Sequence, residues 1–245
     1  MFKKRRIRLY IQSNIEQYKN IVLNENQSHY ILNVMRCNEK NQIQIFNCLN
    51  GEWLASISIT KKNITVTPIE LLRNATQQSE KSIILCFAPT KKYGEFVVEK
   101  ATELSVNGIM PILCERSVIN KINFQRYEKT AIEAIEQSQQ MSLPHIFAMT
   151  PLKDLQKTIQ QTYTNKSHLF IVCDINSEKV ITAAELNLIP YDVITVIIGP
   201  EGGFGELDKK ILDSFIHLKL GNNIMRAETA SIAAVIICNI LIQRF

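Results

Sequence analysis

Val196-Ile197-Ile198-Gly199-Pro200-Glu201-Gly202-Gly203-Phe204-Gly205-Glu206-Leu207-Asp208 begins as an apolar run, breaks at a glycine-rich loop and continues as a polar, helix-like segment. Buried strand, bare loop and helix, in that order, are how α/β proteins place a nucleotide site at the carboxyl end of a strand. Glycine lets the backbone approach a ligand closely and take φ > 0 without steric cost. The loop does not match GxGxxG, and no Gly-Lys-Ser/Thr follows it, so neither the dinucleotide nor the P-loop fingerprint applies. It carries an acid, Glu201. A carboxylate is repelled by phosphate and attracted by a cation. The loop therefore favours a nucleoside that is neutral or cationic over a di- or triphosphate. The same residues would also suit a turn that only reverses the chain.

Working outward, apolar runs at residues 83–87, 109–113, 169–173 and 193–198 alternate with helix-like segments. In residues 93–105, Val97, Ala101 and Leu104 fall at i, i+4 and i+7, one face of a helix. Continuous apolar strands alternating with helices predict a parallel sheet covered on both faces. The first part of the chain reads differently. Ile57 and Ile59 alternate with Ser56, Ser58 and Thr60, and residues 41–46 and 64–69 share the period of two. Half-buried strands between polar turns predict a small antiparallel barrel. Residues 73–80 are polar and aperiodic, which places a linker there. The expected division is a barrel at 1–72, the linker at 73–80 and an α/β domain at 81–245.

Composition narrows the function. The 245 residues suit one or two domains, and 46% apolar content is ordinary for a packed core. Net charge is +5, from 28 basic and 23 acidic residues, too little for a nonspecific nucleic-acid coat. Lys3, Lys4, Arg5, Arg6 and Arg8 nevertheless crowd the amino terminus, a plausible set of phosphate contacts or a solvated, frayed end. No apolar h-region follows that basic start, and no run reaches about 18 apolar residues, so neither secretion nor a membrane span is expected. The six cysteines are scattered without a CxxC pair. They read as reduced thiols of a cytoplasmic protein. The four histidines show no ligand spacing, and no metal is expected.

A second glycine-broken segment, Leu218-Lys219-Leu220-Gly221-Asn222-Asn223-Ile224-Met225-Arg226-Ala227-Glu228-Thr229-Ala230, precedes a nearly all-apolar run at 230–242. These two segments resemble the C-terminal motifs of the SPOUT methyltransferases. The resemblance is closest to the RsmE-like ribosomal RNA (uracil-N(3))-methyltransferase family. It extends to Glu99-Lys100-Ala101-Thr102-Glu103-Leu104, to Glu115-Arg116-Ser117, and to residues 131–138 followed by Pro144, in the same order over nearly the whole chain.

The resemblance implies a PUA-like β-barrel followed by a SPOUT domain with a C-terminal trefoil knot. It implies methyl transfer from S-adenosylmethionine to nitrogen-3 of a uridine in 16S ribosomal RNA, within the small ribosomal subunit. The adenosine would lie among three loops. The matching positions are Val172 and Cys173; Ile198, Gly199, Glu201, Gly202 and Gly203; and Leu220, Gly221, Ile224, Met225 and Arg226. Arg226 would stabilise a developing uracil anion with a planar, permanent charge. Glu201 or Glu228 would accept a proton or position the base. Glu228 would equally serve as an acid complementing the dipole of a helix start.

The apolar segment 230–242 would be buried as a central helix or at the interface of a homodimer. Arg6, Arg8 and Arg36 match the family's basic face, and with Arg5 of the amino-terminal cluster they are the RNA-binding candidates. Asn33 and Asn223 stand where the family usually has arginine. Two other readings remain open: a SPOUT enzyme with a tRNA or ribose 2'-hydroxyl acceptor, and a non-catalytic RNA-binding adaptor.

Overall fold

Alternation of apolar and polar residues builds the first sheet. The computed structural model describes residues 7–60, 63–75, 81–175 and 191–242. Strands β1 (Arg8–Tyr10), β2 (Ile21–Val22), β3 (Gln42–Asn47), β4 (Gly51–Ile59) and β5 (Ile64–Arg73) form one five-stranded sheet in the order β1-β3-β4-β5-β2. Ile43 and Ile45 of β3 and Ile64 and Val66 of β5 point inward, and with Leu9, Ile31 and Ala55 they make its core. The sheet is antiparallel through β3, β4, β5 and β2, as expected, whereas β1 runs parallel to β3. Two register shifts in the β4–β5 pair, at Glu52/Trp53 and Leu54/Ala55, bend the ladder. Helix α1 (Glu25–His29) starts at a reciprocal cap. The Gln27 amide donates to Asn24 Oδ1 at 2.9 Å, and the Asn24 amide donates to Gln27 Oε1 at 3.1 Å.

A buried charge group ties this unit together, and it corrects one expectation. Arg8 lies at 7% exposure and Glu52 at 4%. Arg8 Nε donates to Glu52 Oε1 at 2.8 Å, and its two terminal nitrogens donate to the carbonyls of Ile135 at 2.5 Å and Gln140 at 2.7 Å. Its guanidinium carbon sits 3.5 Å from the centroid of the Phe46 ring. Arg73 pairs with the other Glu52 oxygen. Arg8 is therefore a structural cation with its donors directed inward, not an RNA contact. The chain's division also differs from the expected contiguous one. One compact unit is Met1–Gln78 with Ile135–Leu143, and the other is Ser79–Ala134 with Pro144–Phe245. Ile135 and Met141 pack with Phe46, which explains why that later segment joins the first unit. Strand β5 runs to Arg73, one residue into the expected linker.

The second unit is an all-parallel sheet. Strands β6 (Ser82–Phe87), β7 (Gly108–Leu113), β8 (His145–Ile146), β10 (His168–Cys173), β11 (Val193–Ile198) and β12 (Ile216–Leu218) lie in the order β12-β10-β11-β6-β7-β8, and the short β9 (Thr150–Pro151) adds to β7. Every residue of β11 is buried, as a strand covered on both faces requires. Helices α2 (Gly94–Glu103), α3 (Phe124–Ser138), α4 (Leu155–Thr162), α5 (Glu206–Leu212) and α6 (Ala227–Leu241) connect the strands or follow them. The two polar interruptions of α6 bond within the unit, although Asn239 Oδ1 stays buried without a partner. Ser231 Oγ donates to the Ala227 carbonyl at 2.8 Å, and Asn239 Nδ2 donates to the carbonyls of Leu104 and Val235. Among the described residues no helix is long and apolar enough to cross a membrane.

Removing one partner of a buried pair strands the other charge, which typically costs about 3–5 kcal/mol. Glu52→Ala should therefore destabilise the first unit by about that amount. Urea unfolding followed by the fluorescence of Trp53, the only tryptophan, should show the loss as a lowered midpoint.

Candidate cofactor and catalytic site

Register brings the ends of three strands to one level. Cys173, the last residue of β10, lies opposite both Ile198, the end of β11, and Leu218, the end of β12. Ile198 in turn lies opposite Phe87, the end of β6. The chain thus leaves four neighbouring parallel strands at one edge. Main-chain bonds extend the alignment by one residue: the Asp174 amide donates to the Leu218 carbonyl at 3.1 Å, and Ala88 to Ile198 at 3.0 Å. Val172, Cys173 and Ile198 form the base of these loops. Burial, with Cys238 nearby, pushes the Cys173 thiol up. It stays protonated and does not act as a nucleophile.

The loop after β11 is shaped by its glycines. Gly199 has the Phe204 ring against it, and a Cβ there would meet the ring at 2.8 Å. Gly203 takes φ +71° and donates to the Pro200 carbonyl at 2.8 Å, closing a tight turn that leaves Glu201, Gly202 and Gly203 exposed. No atom lies within 4 Å of where a Cβ at Gly203 would stand. Its glycine is required by backbone conformation, not by a protein neighbour. In the loop after β12, the methyl group of Met225 lies over Gly221. Leu220, Gly221 and Met225 are half-buried, while Ile224 is 86% exposed.

A pair of carboxylates holds the glycine loop, and the site reading from sequence missed both. Helix α5 begins at Gly205, which has no side chain to cap it. Glu115, from the loop after β7, supplies the cap instead: its Oε2 accepts from the amides of Leu207 at 2.7 Å and Asp208 at 3.1 Å. Asp208 reciprocates, accepting from the amides of Glu115 at 3.1 Å and Gly205 at 3.0 Å. A Cβ on Gly205 would sit 2.2 Å from the Glu115 carboxylate. Arg116 adds a third tie, donating to the Gly202 carbonyl at 3.0 Å. Glu115-Arg116-Ser117 was visible as a motif. What it binds lies about ninety residues away, beyond any local signal.

The three catalytic candidates are not joined. Arg226 is the exposed N-cap residue of α6. Glu228, two residues on, is 8% exposed and turned inward, and its Oε2 is buried without a hydrogen-bond partner. Positions two apart on a helix face different ways, which explains the split. Glu201 is exposed on the neighbouring loop. Among the described residues no hydrogen bond or ion pair links Arg226, Glu201 and Glu228. Arg36 is exposed at φ +53°, Asn33 and Asn223 are exposed, and Arg5 and Arg6 lie outside the described residues.

Comparison with known proteins agrees with this architecture. The family model for an RNA methyltransferase domain matches residues 76–239, and that for an RNA methyltransferase PUA domain matches residues 23–69. The ribosomal RNA small subunit methyltransferase E of Rickettsia conorii is 31% identical over 233 residues, covering 93% of each chain. A Legionella pneumophila structure, assigned there as a methyltransferase and holding the cofactor SAM, superposes with a TM-score of 0.82. It is 25% identical, over 97% of this chain and 98% of the other. The corresponding methyltransferase E of Neisseria gonorrhoeae, at 24% identity and a TM-score of 0.79, shares the fold over 97% of this chain and 98% of its own.

Glu115→Ala should cost about 1–2 kcal/mol, the usual value of a lost N-cap. Gly205→Ala should cost at least as much by displacing the same carboxylate. Combining the two should add little, because both remove one interaction. Chemical denaturation of the two single variants and the double variant checks this.

Proposed function

This chain belongs to the family of ribosomal RNA small subunit methyltransferases E, and on that footing we propose that it methylates nitrogen-3 of a uridine in 16S ribosomal RNA, within the small ribosomal subunit in the cytoplasm. The observation that carries the reading is the alignment of Cys173, Ile198 and Leu218, which sets two glycine-broken loops beside the end of β10 at one sheet edge.

The residues present suit S-adenosylmethionine. Gly202 and Gly203 are exposed, and open space surrounds the position a Gly203 side chain would take. Ile224 sits in water at 86% exposure, where an adenine would cover it together with Met225. Glu201 offers a carboxylate with no cation of its own among the described residues, which favours a cationic ligand over a phosphate. The unpartnered Glu228 Oε2 calls for a donor that the described residues do not supply. When bound, S-adenosylmethionine supplies a methyl group on a cationic sulfur.

The chain's own part is placement and charge. Val172, Cys173, Ile198 and Leu220 support the loops from the strand ends. The clamp of Glu115, Asp208 and Arg116 holds the glycine loop, so little ordering remains when ligand arrives. The uracil loses its imide proton as it gains the methyl. Glu201 and Glu228 are the acceptors at hand, and Glu228 carries the oxygen lacking a partner. Arg226, free of any ion pair among the described residues, steadies the uracil's developing negative charge with a planar fork.

Two further features belong to the proposal. The segment entering α6 from β12 at the sheet edge, with α6 packed on α2, β6 and β11, suits the trefoil knot the family resemblance implies. Ile236 and Ile240 of α6 stay 36% and 54% exposed on one helix face, which suits a homodimer closed over them.

Transfer of labelled methyl from S-adenosylmethionine to isolated small subunits, with the product nucleoside identified by mass spectrometry, tests the reading. N(3)-methyluridine is expected, and a ribose-methylated product would replace it with the alternative acceptor. Arg226→Ala should lower kcat about a hundredfold with cofactor affinity nearly unchanged, as loss of one oxyanion donor does. Arg226→Lys should recover little. An Ile236→Glu, Ile240→Glu double variant should elute as a folded monomer in light scattering, against a dimer for the unaltered chain.

A further inference from the structure

A groove of about 250 Å³ opens at the same sheet edge as the glycine loop but outside the residues assigned above. Its walls are the loop after β6, the loop after β7 and the first turn of α3. Lys91, Lys92, Lys121 and Arg126 line it against a single acid, Glu95, leaving a net charge of +3. Arg126 takes up that acid at 2.6 Å. No salt-bridge partner for Lys91, Lys92 or Lys121 lies among the described residues, and all three are exposed. Thirty residues separate Lys91 from Lys121 in sequence; the β6–β7 pairing brings their loops together.

Three like charges around one groove repel one another unless an anion lies between them. Two properties identify the anion. The cations are lysines, compact point charges that suit phosphate oxygens without demanding a fixed orientation. The remaining lining mixes apolar Ile119 and Ile122 with polar Thr90 and Asn123, and the one ring in it, Tyr127, is 5% exposed and unavailable for stacking on a base. The groove, dominated by lysines and without a ring for stacking, therefore suits the sugar-phosphate backbone.

Its position connects it to the chemistry. Strand β6 adjoins β11, and β7 adjoins β6, so the loops that line the groove leave the sheet one and two strands over from the glycine loop. Arg116, in the same loop as Lys121, donates to the Gly202 carbonyl and so ties that loop to the glycine loop.

From these observations we infer that the groove of Lys91, Lys92 and Lys121 binds the phosphodiester backbone of the RNA strand beside the target nucleotide. This rests on the function proposed above for the choice of RNA, and the test separates the two. A Lys91→Ala, Lys92→Ala, Lys121→Ala variant is compared with the unaltered chain and with a Lys→Arg version at the same three positions. Binding of a fluorescent single-stranded RNA oligonucleotide is followed from 50 to 200 mM salt. The alanine variant should bind roughly tenfold more weakly at the low end, and the slope of log affinity against log salt should fall by about 0.7 per lost contact, about 2 in all. Its affinity for S-adenosylmethionine should not change, and the arginine version should restore the slope.

An unchanged slope and affinity in the alanine variant overturns the inference. So does displacement of the RNA by inorganic phosphate beyond that by chloride at equal ionic strength, which assigns the groove to a small anion. A fallen slope in a protein whose unaltered form transfers no methyl to ribosomal subunits upholds the groove and overturns the functional reading.

Discussion

The ladder between β10 and its two neighbours governs what this chain does. Parallel pairing sets Cys173 level with Ile198 on one side and Leu218 on the other. Because every strand of the sheet points the same way, every loop that leaves a carboxyl end emerges on the same edge. A ligand at that edge meets backbone from segments 25 and 20 residues apart in sequence without any of them reaching across the sheet. Slipping one strand by a residue would move its loop along the strand axis and turn the strand's side chains to the opposite face. Continuous burial of β11 on both faces is what prevents such a slip.

On that frame the glycine loop has conflicting needs. In the function proposed above it shows bare backbone to a ligand, yet bare backbone is costly to order. The structure separates the two requirements. Gly205 starts α5 without a cap, and the cap is delivered by Glu115 from a different loop, with Asp208 returning the bond. A side chain on Gly205 would occupy the carboxylate's place, so the bareness of one residue and the charge of the other are one device. Arg116, holding the Gly202 carbonyl, extends it to the exposed turn.

Charged residues in this chain divide by where their partners are. Arg8 makes a hydrogen bond from each of its three guanidinium nitrogens inside the first unit, to Glu52 and two carbonyls, and stacks on Phe46. Lys91, Lys92 and Lys121 have no salt-bridge partner among the described residues and stay in solvent. The first kind specifies a fold and the second is available to a ligand. A cluster of basic residues in a sequence does not distinguish the two, because the distinction is whether desolvation has been compensated within the fold.

Local patterns carried much of this far. Apolar runs at 83–87, 109–113, 169–173 and 193–198 became the strands of the parallel sheet, and the period of two in 41–46 and 64–69 became β3 and β5. These were legible because burial on two faces, or on one, leaves its period in consecutive residues. The breaks at Gly199 and Gly221 marked the loops for the same reason. What the sequence did not contain was the partner of each polar group. Arg8 to Ile135, Glu115 to Asp208 and Asn239 to Leu104 are separations of 127, 93 and 135 residues. The parallel direction of β1, the capture of Ile135–Leu143 by the first unit and the inward turn of Glu228 are of the same kind. Each depends on which segments the strand order brings side by side. Secondary structure is written in periodicity, and periodicity is local. The destination of a charge is settled only once distant loops share one edge.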